Sequence, residues 1–283
     1  MKISLDRVVS YLYASALNRI RAVLSRVMER RVYTARSGFT KGLKTRGGFA
    51  FLPLRGGLTY EHRFLLGLDL DGKIIFDIGG GSGAFTLVFA RAVGKRGRVF
   101  VFEPNPHNRQ VINDRLQINA VTNVHLISLG IADGPAKDLL VFSRQNTGTG
   151  SIDPGIREDL LQREGMASLE IEIDSIDGLI EAGRLQRPDF LKIDVEGAEL
   201  AVLVGMERTL GLSRPTLFIE MHGVGADAKA RNARAVTEYL CNNRYLLYHV
   251  ESMRIVDLAS SEIASEGHLY CTPSGDRPDP SES

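Results

Sequence analysis

The run "KIIFDIGGGSGAFT", residues 73–86, carries the pattern on which the fold prediction depends. A short apolar run ends at Asp77 and leads at once into a loop with four glycines, after which a helix-length segment begins. A strand that passes through a glycine turn into a helix is the first unit of a doubly wound sheet. The later apolar runs alternate with helix-length segments, so we predict an α/β fold with a mostly parallel, doubly wound Rossmann-like sheet. These runs are RVFVFE (98–103), NVHLIS (123–128), DFLKID (189–194), PTLFIE (215–220), YLLYHV (245–250) and HLYCT (268–272).

The composition is that of a globular protein with one large domain, or with one domain and an appendage. The 283 residues are 43% hydrophobic and 24% charged, and the formal net charge of +1 gives no case for nucleic acid as a partner. The two cysteines, Cys241 and Cys271, are far apart and suggest neither a disulfide framework nor a zinc site. No apolar run approaches the roughly 20 residues that span a bilayer, and Arg19 and Arg21 interrupt any signal-peptide core. We therefore expect a cytoplasmic protein.

The N-terminal region differs from the rest of the chain in its charge. Residues 1–45 hold ten Lys or Arg residues against Asp6 and Glu29. Within them, residues 5–32 space their apolar side chains mostly three and four apart, which predicts an amphipathic helix with a basic outer face. Packing on its own domain or on a second copy is the expectation, and peripheral contact with an anionic membrane is the alternative.

Three regions follow from these patterns. We expect a basic helix and connector over residues 1–45, the enzyme domain over 46–275 and a polar tail over 276–283. Inside the domain, residues 143–169 are rich in small, polar and charged side chains, and we predict that they form a mobile lid over the acceptor.

The glycine loop and Glu103 together predict a nucleoside-binding site. In an open parallel sheet, ligands bind at the carboxyl ends of the strands, and Gly79, Gly81 and Gly83 let the backbone approach a ligand closely. Glu103 ends the second strand, where a carboxylate accepts hydrogen bonds from the two hydroxyls of a ribose. A tight βα turn is the structural alternative for a glycine loop alone.

The identity of the nucleoside depends on Asp77. The loop also fits a dinucleotide fingerprint, which leaves a nicotinamide-dependent oxidoreductase as an alternative. Asp77 argues against a pyrophosphate because the two negative charges would repel, whereas S-adenosyl-L-methionine carries an ammonium and a sulfonium. The residues therefore favour S-adenosyl-L-methionine, with Asp77 near its cationic amino-acid end.

Residues 188–206, "PDFLKIDVEGAELAVLVGM", resemble the signature of the FkbM family of S-adenosylmethionine-dependent methyltransferases. A lysine and an aspartate in a strand precede Glu-Gly-Ala-Glu at the start of a helix. Flanking matches are the glycine loop, "FEPNP" (102–106), "EIDSIDGLI" (172–180) and "FIEMHG" (218–223), so the resemblance covers roughly residues 60–225. The sequence departs from the family in its "GGGS" loop, where "GANIG"-like loops are commoner.

The resemblance implies a class I methyltransferase sheet and an O-methyltransferase that acts on a hydroxyl of a sugar, glycolipid or polyketide-type molecule. Its partner is therefore expected to be a hydroxylated small molecule or a glycan. The matched motifs imply cofactor contacts at the residues of the glycine loop and the "FEPNP" run. They are Asp77, Gly79, Gly81, Gly83, Glu103 and Asn105.

The chemistry is expected at the ends of two later strands. Glu220 and His222 are two residues apart and share a face near one strand end, and Asp194 ends the strand before it. If these strands are neighbours, His222 is the natural base for an alcohol. Asp194 and Glu220 could orient it, bind acceptor hydroxyls or, with His222, hold a divalent ion, although we do not expect a metal. An ion pair between His222 and Glu220 is the alternative.

Several other polar residues are expected to be structural. Glu196 and Glu199 suit the first turn of a helix, and Lys192 is expected to pair with an acid because it lies mid-strand. His249 and His268 lie near later strand ends without a spacing that defines a site. The segment Tyr60–His62 precedes the first strand, where it could close over a cofactor. A non-catalytic scaffold that binds S-adenosylmethionine is the remaining functional alternative, and a homo-oligomer stays open.

Overall fold

The computed structural model describes residues 31–46, 57–143 and 150–274. The chain divides into two compact units, one formed by residues 1–57 and the other by residues 58–283. Most of the predicted N-terminal helix and the whole predicted C-terminal tail lie outside the described residues, so both stay predictions, as do the domain boundaries. No helix within the described ranges has the length and apolarity needed to span a membrane.

The secondary structure alternates strands with helices, as the sequence predicts. The strands are β1 (Val32–Thr34), β2 (Lys44–Arg46), β3 (Ile74–Ile78), β4 (Arg98–Phe102), β5 (Val124–Ile127), β6 (Gly130–Ile131), β7 (Ala136–Ser143), β8 (Gly150–Ser151), β9 (Met166–Asp174), β10 (Phe190–Ile193), β11 (Thr216–Glu220), β12 (Tyr245–His249), β13 (Arg254–Val256) and β14 (His268–Pro273). The helices are α1 (Tyr60–Leu66), α2 (Ala84–Ala92), α3 (Pro106–Ile118), α4 (Pro154–Leu161), α5 (Ile176–Glu181), α6 (Glu199–Val204), α7 (Glu207–Leu212) and α8 (Gly225–Asn242), with a 3₁₀ helix over Leu258–Ser265.

The described part of the first unit is a small hairpin. Strands β1 and β2 pair antiparallel, with Val32 opposite Arg46 and Thr34 opposite Lys44. The residues between the strands include Gly38 and Gly42, both with positive φ, a conformation that glycine adopts without strain.

The second unit contains an eight-stranded sheet with the order β13-β12-β14-β11-β10-β3-β4-β5. Strands β11, β10, β3, β4 and β5 are parallel, and β14 lies antiparallel between β11 and β12. All seven apolar runs are strands of this sheet, which confirms the predicted α/β fold. Dinucleotide-binding sheets order their strands 3-2-1-4-5-6, so the inserted antiparallel β14 distinguishes this sheet from them.

The central strands are apolar because both of their faces are covered. Every residue of β10 is buried, as are the last four residues of β3 and β4. Phe76 of β3 packs edge-on against Phe100 and Phe102 of β4, with ring centroids 5.5 Å apart in both pairs. The order of strands reverses between β3 and β10, which is where open α/β sheets bind their ligands.

A second sheet, with the order β6-β9-β7-β8, includes part of the segment 143–169 that was predicted as an irregular lid. The prediction missed that β7 and β9 form a long antiparallel pair, from Ala136 opposite Ile173 to Ser143 opposite Met166. It also missed α4, where the side chain of Asp153 caps the first turn and Pro154 occupies the first position. The described part of 143–169 is therefore mostly regular structure, and its role as a lid stays a prediction.

Candidate active site

A cleft that is partly open to solvent lies at the carboxyl ends of β3, β4 and β10. One wall is polar, and the opposite wall is apolar and comes largely from the second sheet. The polar wall includes Gly79, Gly81, Glu103, Asn105, Asp194 and Glu196, and the apolar wall includes Leu129, Ile131, Leu140, Phe142, Ile152 and Ile171. A concave, mostly apolar cleft with a few polar groups is typical of a small-molecule site.

Glu103 is held in the cleft by the backbone of two loops. Its Oε2 accepts a hydrogen bond from the Gly81 N–H at 2.7 Å, and its Oε1 accepts one from the Asn105 N–H at 2.8 Å. Burial raises the pKa of Glu103 to about 7, although these hydrogen bonds and the charge of Arg109 oppose the rise. The side chain of Asn105 caps α3 by accepting from the His107 N–H at 3.0 Å, so Asn105 lines the cleft and also begins the helix.

Asp77 lies behind the glycine loop and does not line the cleft. Its carboxylate is 1% exposed, its Oδ2 accepts from the Thr86 hydroxyl at 2.5 Å, and its Oδ1 has no hydrogen-bond partner among the described residues. Burial raises the pKa of Asp77 to about 6, against the lowering effects of Lys192 and Thr86. Asp77 is therefore not part of the cleft lining, and its predicted role toward a cofactor stays a prediction.

The glycines of the loop after β3 have different structural roles. Gly79 has a φ of +84°, and a Cβ on it would overlap the carbonyl oxygen of Asp194. Gly83 has a φ of +78° and begins α2 without lining the cleft, so its role is close packing against Ile112 of α3. Of the predicted loop contacts, Gly79 and Gly81 line the cleft.

The predicted catalytic residues converge because β10 and β11 are adjacent and parallel. His222 Nε2 lies 3.9 Å from Asp194 Oδ1 and 3.6 Å from Glu220 Oε1. Lys192 is buried and donates to Asp194 Oδ2 at 2.7 Å, as expected of a mid-strand lysine with an acidic partner. The three residues chosen from the sequence therefore form one cluster at the sheet edge.

Glu199 holds the ring of His222 from the other side. Its Oε1 lies 2.9 Å from His222 Nδ1 and also accepts from the Gly197 N–H, and its Oε2 accepts from Asn232. Burial lowers the pKa of His222, but the hydrogen bonds with Glu199 and Glu220 and the nearby carboxylate charges raise it to about 11. A protonated imidazole has no free lone pair to accept a proton, so His222 would have to lose its proton before it could act as a base, and that role stays a prediction.

Glu196 combines three features of a reactive carboxylate. It lines the cleft, its Oε2 lies 3.7 Å from His222 Nε2, and its φ is +52°, a conformation that costs a residue with a side chain about 1–2 kcal/mol. Burial raises the pKa of Glu196 to about 7; the His222 charge opposes this, and Asp194, Glu220 and Glu199 add to it. The Ser151 hydroxyl donates to its carbonyl oxygen at 2.5 Å, so the inserted sheet helps to fix the strained peptide.

A second histidine joins the cluster from β14. His268 lies opposite Glu220 in the register, with its Nε2 3.6 Å from Glu220 Oε2 and 3.4 Å from Oε1 of Glu61 on α1. The two nearby histidines hold the pKa of Glu220 well below its usual range, because they favour its ionised form. The sequence analysis left His268 out of the site, and only the insertion of β14 beside β11 brings it there.

The chain matches one known family over most of its second unit. A model of the methyltransferase FkbM domain matches residues 77–247, the region that supplies most of the cleft and the cluster. The chain belongs to the FkbM methyltransferase family. Members of this family use S-adenosylmethionine, so the alternative of a nicotinamide-dependent oxidoreductase is set aside.

Two characterised relatives match part of the chain. Methyltransferase 1 from Beauveria bassiana is 29% identical over 149 residues, which cover 48% of this chain and 59% of the relative. Hexuronic acid methyltransferase AglP from Haloferax volcanii is 30% identical over 173 residues, which cover 59% of this chain and 63% of the relative. The chain thus spans less than two thirds of the length of either relative.

Solved structures resemble the chain distantly. A crystal structure of methyltransferase FkbM from Methylobacillus flagellatus is 18% identical, with a TM-score of 0.43 over 72% of this chain and 44% of that one. A putative O-methyltransferase from Klebsiella pneumoniae is 16% identical, with a TM-score of 0.45 over 79% of this chain and 84% of that one.

The residues of the cleft fit S-adenosylmethionine. Glu103 presents a carboxylate beside the glycine loop, where ribose hydroxyls can donate to the oxygen lone pairs that the backbone leaves free. The opposite wall offers apolar side chains to a base. The chemistry of the lining therefore suits a nucleoside whose attached chain carries no phosphate.

Proposed function

We propose that the protein transfers a methyl group from S-adenosylmethionine to a hydroxyl of a sugar, glycolipid or polyketide-type molecule. The observation that carries the proposal is the position of Asp194, Glu196, Glu220 and His222, which together form a carboxylate–histidine cluster. This cluster adjoins the cleft. Asp194 and Glu196 line the cleft, and both lie within 4 Å of His222. An acceptor at this cluster would lie beside a bound cofactor.

The cofactor side of the site is assigned to Gly79, Gly81, Glu103 and Asn105. Glu103 accepts hydrogen bonds from the ribose, and the glycines admit the amino-acid end close to the backbone. Asp77, from behind the loop, favours the positive charges of this end. When bound, S-adenosylmethionine supplies an electrophilic methyl group on a sulfonium.

On the acceptor side, Glu196 is the proposed base. Glu196 lines the cleft. Asp194, in contrast, already accepts a hydrogen bond from Lys192, and Glu220 lies between two histidines. The proton of the acceptor hydroxyl passes to the Glu196 carboxylate as the oxygen forms its bond to the methyl carbon. The methyl–sulfur bond breaks in the same step, with its electron pair left on sulfur.

His222 is a positioning and charge-balancing residue in this proposal. Its cationic ring is anchored by Glu199 and faces Asp194, Glu196 and Glu220 with Nε2, so it reduces the repulsion among them. Asp194 and Glu220 remain proposed as groups that accept hydrogen bonds from the acceptor's hydroxyls. Polyhydroxylated acceptors suit such a site because each hydroxyl can donate to a carboxylate.

The test is a transfer assay with methyl-labelled S-adenosylmethionine and a panel of sugars, hexuronic acids, glycolipids and hydroxylated polyketides. The expected product is a methyl ether, which survives mild alkali. A methyl ester, which mild alkali hydrolyses, would show that the acceptor is a carboxylate and overturn the hydroxyl assignment. Binding of S-adenosylhomocysteine without transfer to any class of acceptor would favour the non-catalytic scaffold.

A further inference from the structure

The cluster around His268 has a property that the proposed methyl transfer does not use. His268 is only 8% exposed, yet its Nε2 has no hydrogen-bond partner among the described residues, and neither has Oε1 of Glu61. These two atoms lie 3.4 Å apart, and Glu220 Oε2 lies 3.6 Å from the same nitrogen. Leaving buried polar atoms unsatisfied costs free energy, so two such atoms, with the Glu220 carboxylate beside them, indicate a ligand between the three side chains.

We propose that Glu61, Glu220 and His268 bind a divalent transition-metal cation. The ligand atoms of these three side chains all lie within 4.8 Å of one another. Two ligands bonded at about 2.1 Å to a tetrahedral ion are about 3.4 Å apart. The separations of 3.4 and 3.6 Å are close to this spacing and exceed an ordinary hydrogen bond.

The surroundings of His268 hold it in the orientation of a metal ligand. Its Nδ1 lies 2.6 Å from Glu251 Oε1, and Phe218 stacks on the ring at a centroid distance of 5.2 Å. A histidine that ligates a metal almost always donates its other ring N–H to a carboxylate or carbonyl, which fixes the tautomer. Gly267 makes this contact fit, because a Cβ there would overlap the carboxylate of Glu251.

The type of ion follows from the ligands. One imidazole nitrogen with two carboxylates suits Mn²⁺, Fe²⁺, Co²⁺ or Zn²⁺, whereas Mg²⁺ prefers oxygen ligands alone. The neighbouring set of Asp194, Glu220 and His222 is a weaker candidate because Lys192 already pairs with Asp194. Glu220 links the two sets, with its Oε1 facing His222 and its Oε2 facing His268.

The position of the ion gives it a use in the reaction. An ion on Glu220 would lie beside the proposed acceptor site, where it could bind acceptor oxygens and lower the pKa of a bound hydroxyl. Binding of the ion rests on the geometry of the three side chains alone, whereas this use rests on the proposed O-methyl transfer. The two are therefore tested separately.

The test is titration of the chelator-treated full chain with Mn²⁺, without cofactor or acceptor, followed by the electron paramagnetic resonance signal of the free ion. One Mn²⁺ is expected to bind per chain. E61Q and H268A should each weaken binding at least about tenfold, while H125A and E164Q, which replace an exposed histidine and an exposed glutamate elsewhere, should bind as the native chain does. Bound Mn²⁺ should also raise the melting temperature of the native chain but not of E61Q.

Failure of the native chain to bind at millimolar Mn²⁺, or E61Q that binds as tightly as the native chain, would overturn the site and leave an ion-pair network in its place. If H268A fails to fold, E61Q still tests the metal site, because glutamine keeps the size and shape of the Glu61 side chain on α1. Mn²⁺ binding without methyl transfer would contradict the proposed function alone. Methyl transfer without Mn²⁺ binding would contradict the metal site alone.

Discussion

At the scale of single residues, Glu103 is the group on which cofactor affinity should depend most. Replacing it with glutamine keeps its shape but exchanges an acceptor oxygen for a donor, so a ribose hydroxyl loses its partner. We expect S-adenosylhomocysteine to bind about 1–3 kcal/mol more weakly to E103Q, the range for leaving a buried polar group unpaired. Isothermal titration calorimetry measures this loss, and E164Q, an exposed substitution, is the control.

The raised pKa of Glu103, about 7, also predicts how affinity varies with pH. Above this pH the group is a carboxylate and both oxygens accept; below it one oxygen carries a proton and accepts less well. The native chain should therefore lose affinity for S-adenosylhomocysteine as the pH falls from 8 toward 6. E103Q should be weak at every pH in this range, and a native affinity that does not change with pH would remove Glu103 from the ribose site.

Substitution of Glu196 should lower turnover without weakening the binding of the cofactor product. In E196Q the side chain keeps its size but has no basic oxygen, so turnover should fall by about 100- to 10,000-fold, the usual contribution of a general base. The affinity for S-adenosylhomocysteine should change little, because Glu103 and the glycine loop carry it. E158Q, on the exposed face of α4, is the matched control. If E196Q kept native turnover, the base would have to be another carboxylate of the cluster.

At the scale of elements, the turn between β3 and α2 sets how close the glycine loop of the polar wall lies to β10. Gly79 is at a φ of +84°, and a Cβ on it would overlap the Asp194 carbonyl. We expect G79A to lower the free energy of unfolding by about 2–5 kcal/mol, from backbone strain together with overpacking. Chemical denaturation measures the change.

The control for this substitution is G134A. Gly134 has no heavy atom within 4 Å of its ideal Cβ and no positive φ, so G134A should stay within about 0.5 kcal/mol of the native stability, as surface substitutions usually do. Equal stability of G79A and the native chain would mean that the turn relaxes away from Asp194.

The elements that the sequence predicts well are those with local signals. Buried runs such as "KIIFDI" predicted the parallel strands, because strands covered on both faces are continuously apolar. The pairing of β7 with β9 was missed because much of it is exposed and charged, as in "ASLEIEID" (167–174). The place of β14 could not be predicted either, since a strand's neighbours are set by tertiary packing and not by its own residues.

The same distinction separates the predicted and the missed parts of the site. Asp194, Glu220 and His222 could be placed together because they follow neighbouring strand ends. His268 and Glu61 meet Glu220 through contacts between distant parts of the chain, and the left-handed backbone of Glu196 has no signature in its residue type. Glu199 was assigned to a helix first turn, which is correct, but its contact with His222 depends on tertiary packing that brings the start of α6 beside the residues after β11.

At the scale of the whole molecule, every residue of the proposed site lies in the unit formed by residues 58–283. A chain that begins at Leu58 is therefore expected to fold and to bind S-adenosylhomocysteine with native affinity. Circular dichroism and calorimetry on the truncated and full chains test this. A truncated chain that folds but does not bind would show that residues before Leu58 contribute to the cofactor site.

Because the strand order reverses between β3 and β10, the two parts of the site come from successive segments of the sequence. Residues up to Asp174 supply most of the cofactor cleft, and those from Phe190 onward supply most of the carboxylate–histidine cluster, with Asp194 and Glu196 at the seam. If the proposed site is correct, we expect acceptor preference to be exchangeable as a block. A chimera joined to a related enzyme between α5 and β10 should keep the donor and adopt the acceptor of the grafted half, so recombination at this single junction offers a route by which one scaffold diversifies its products.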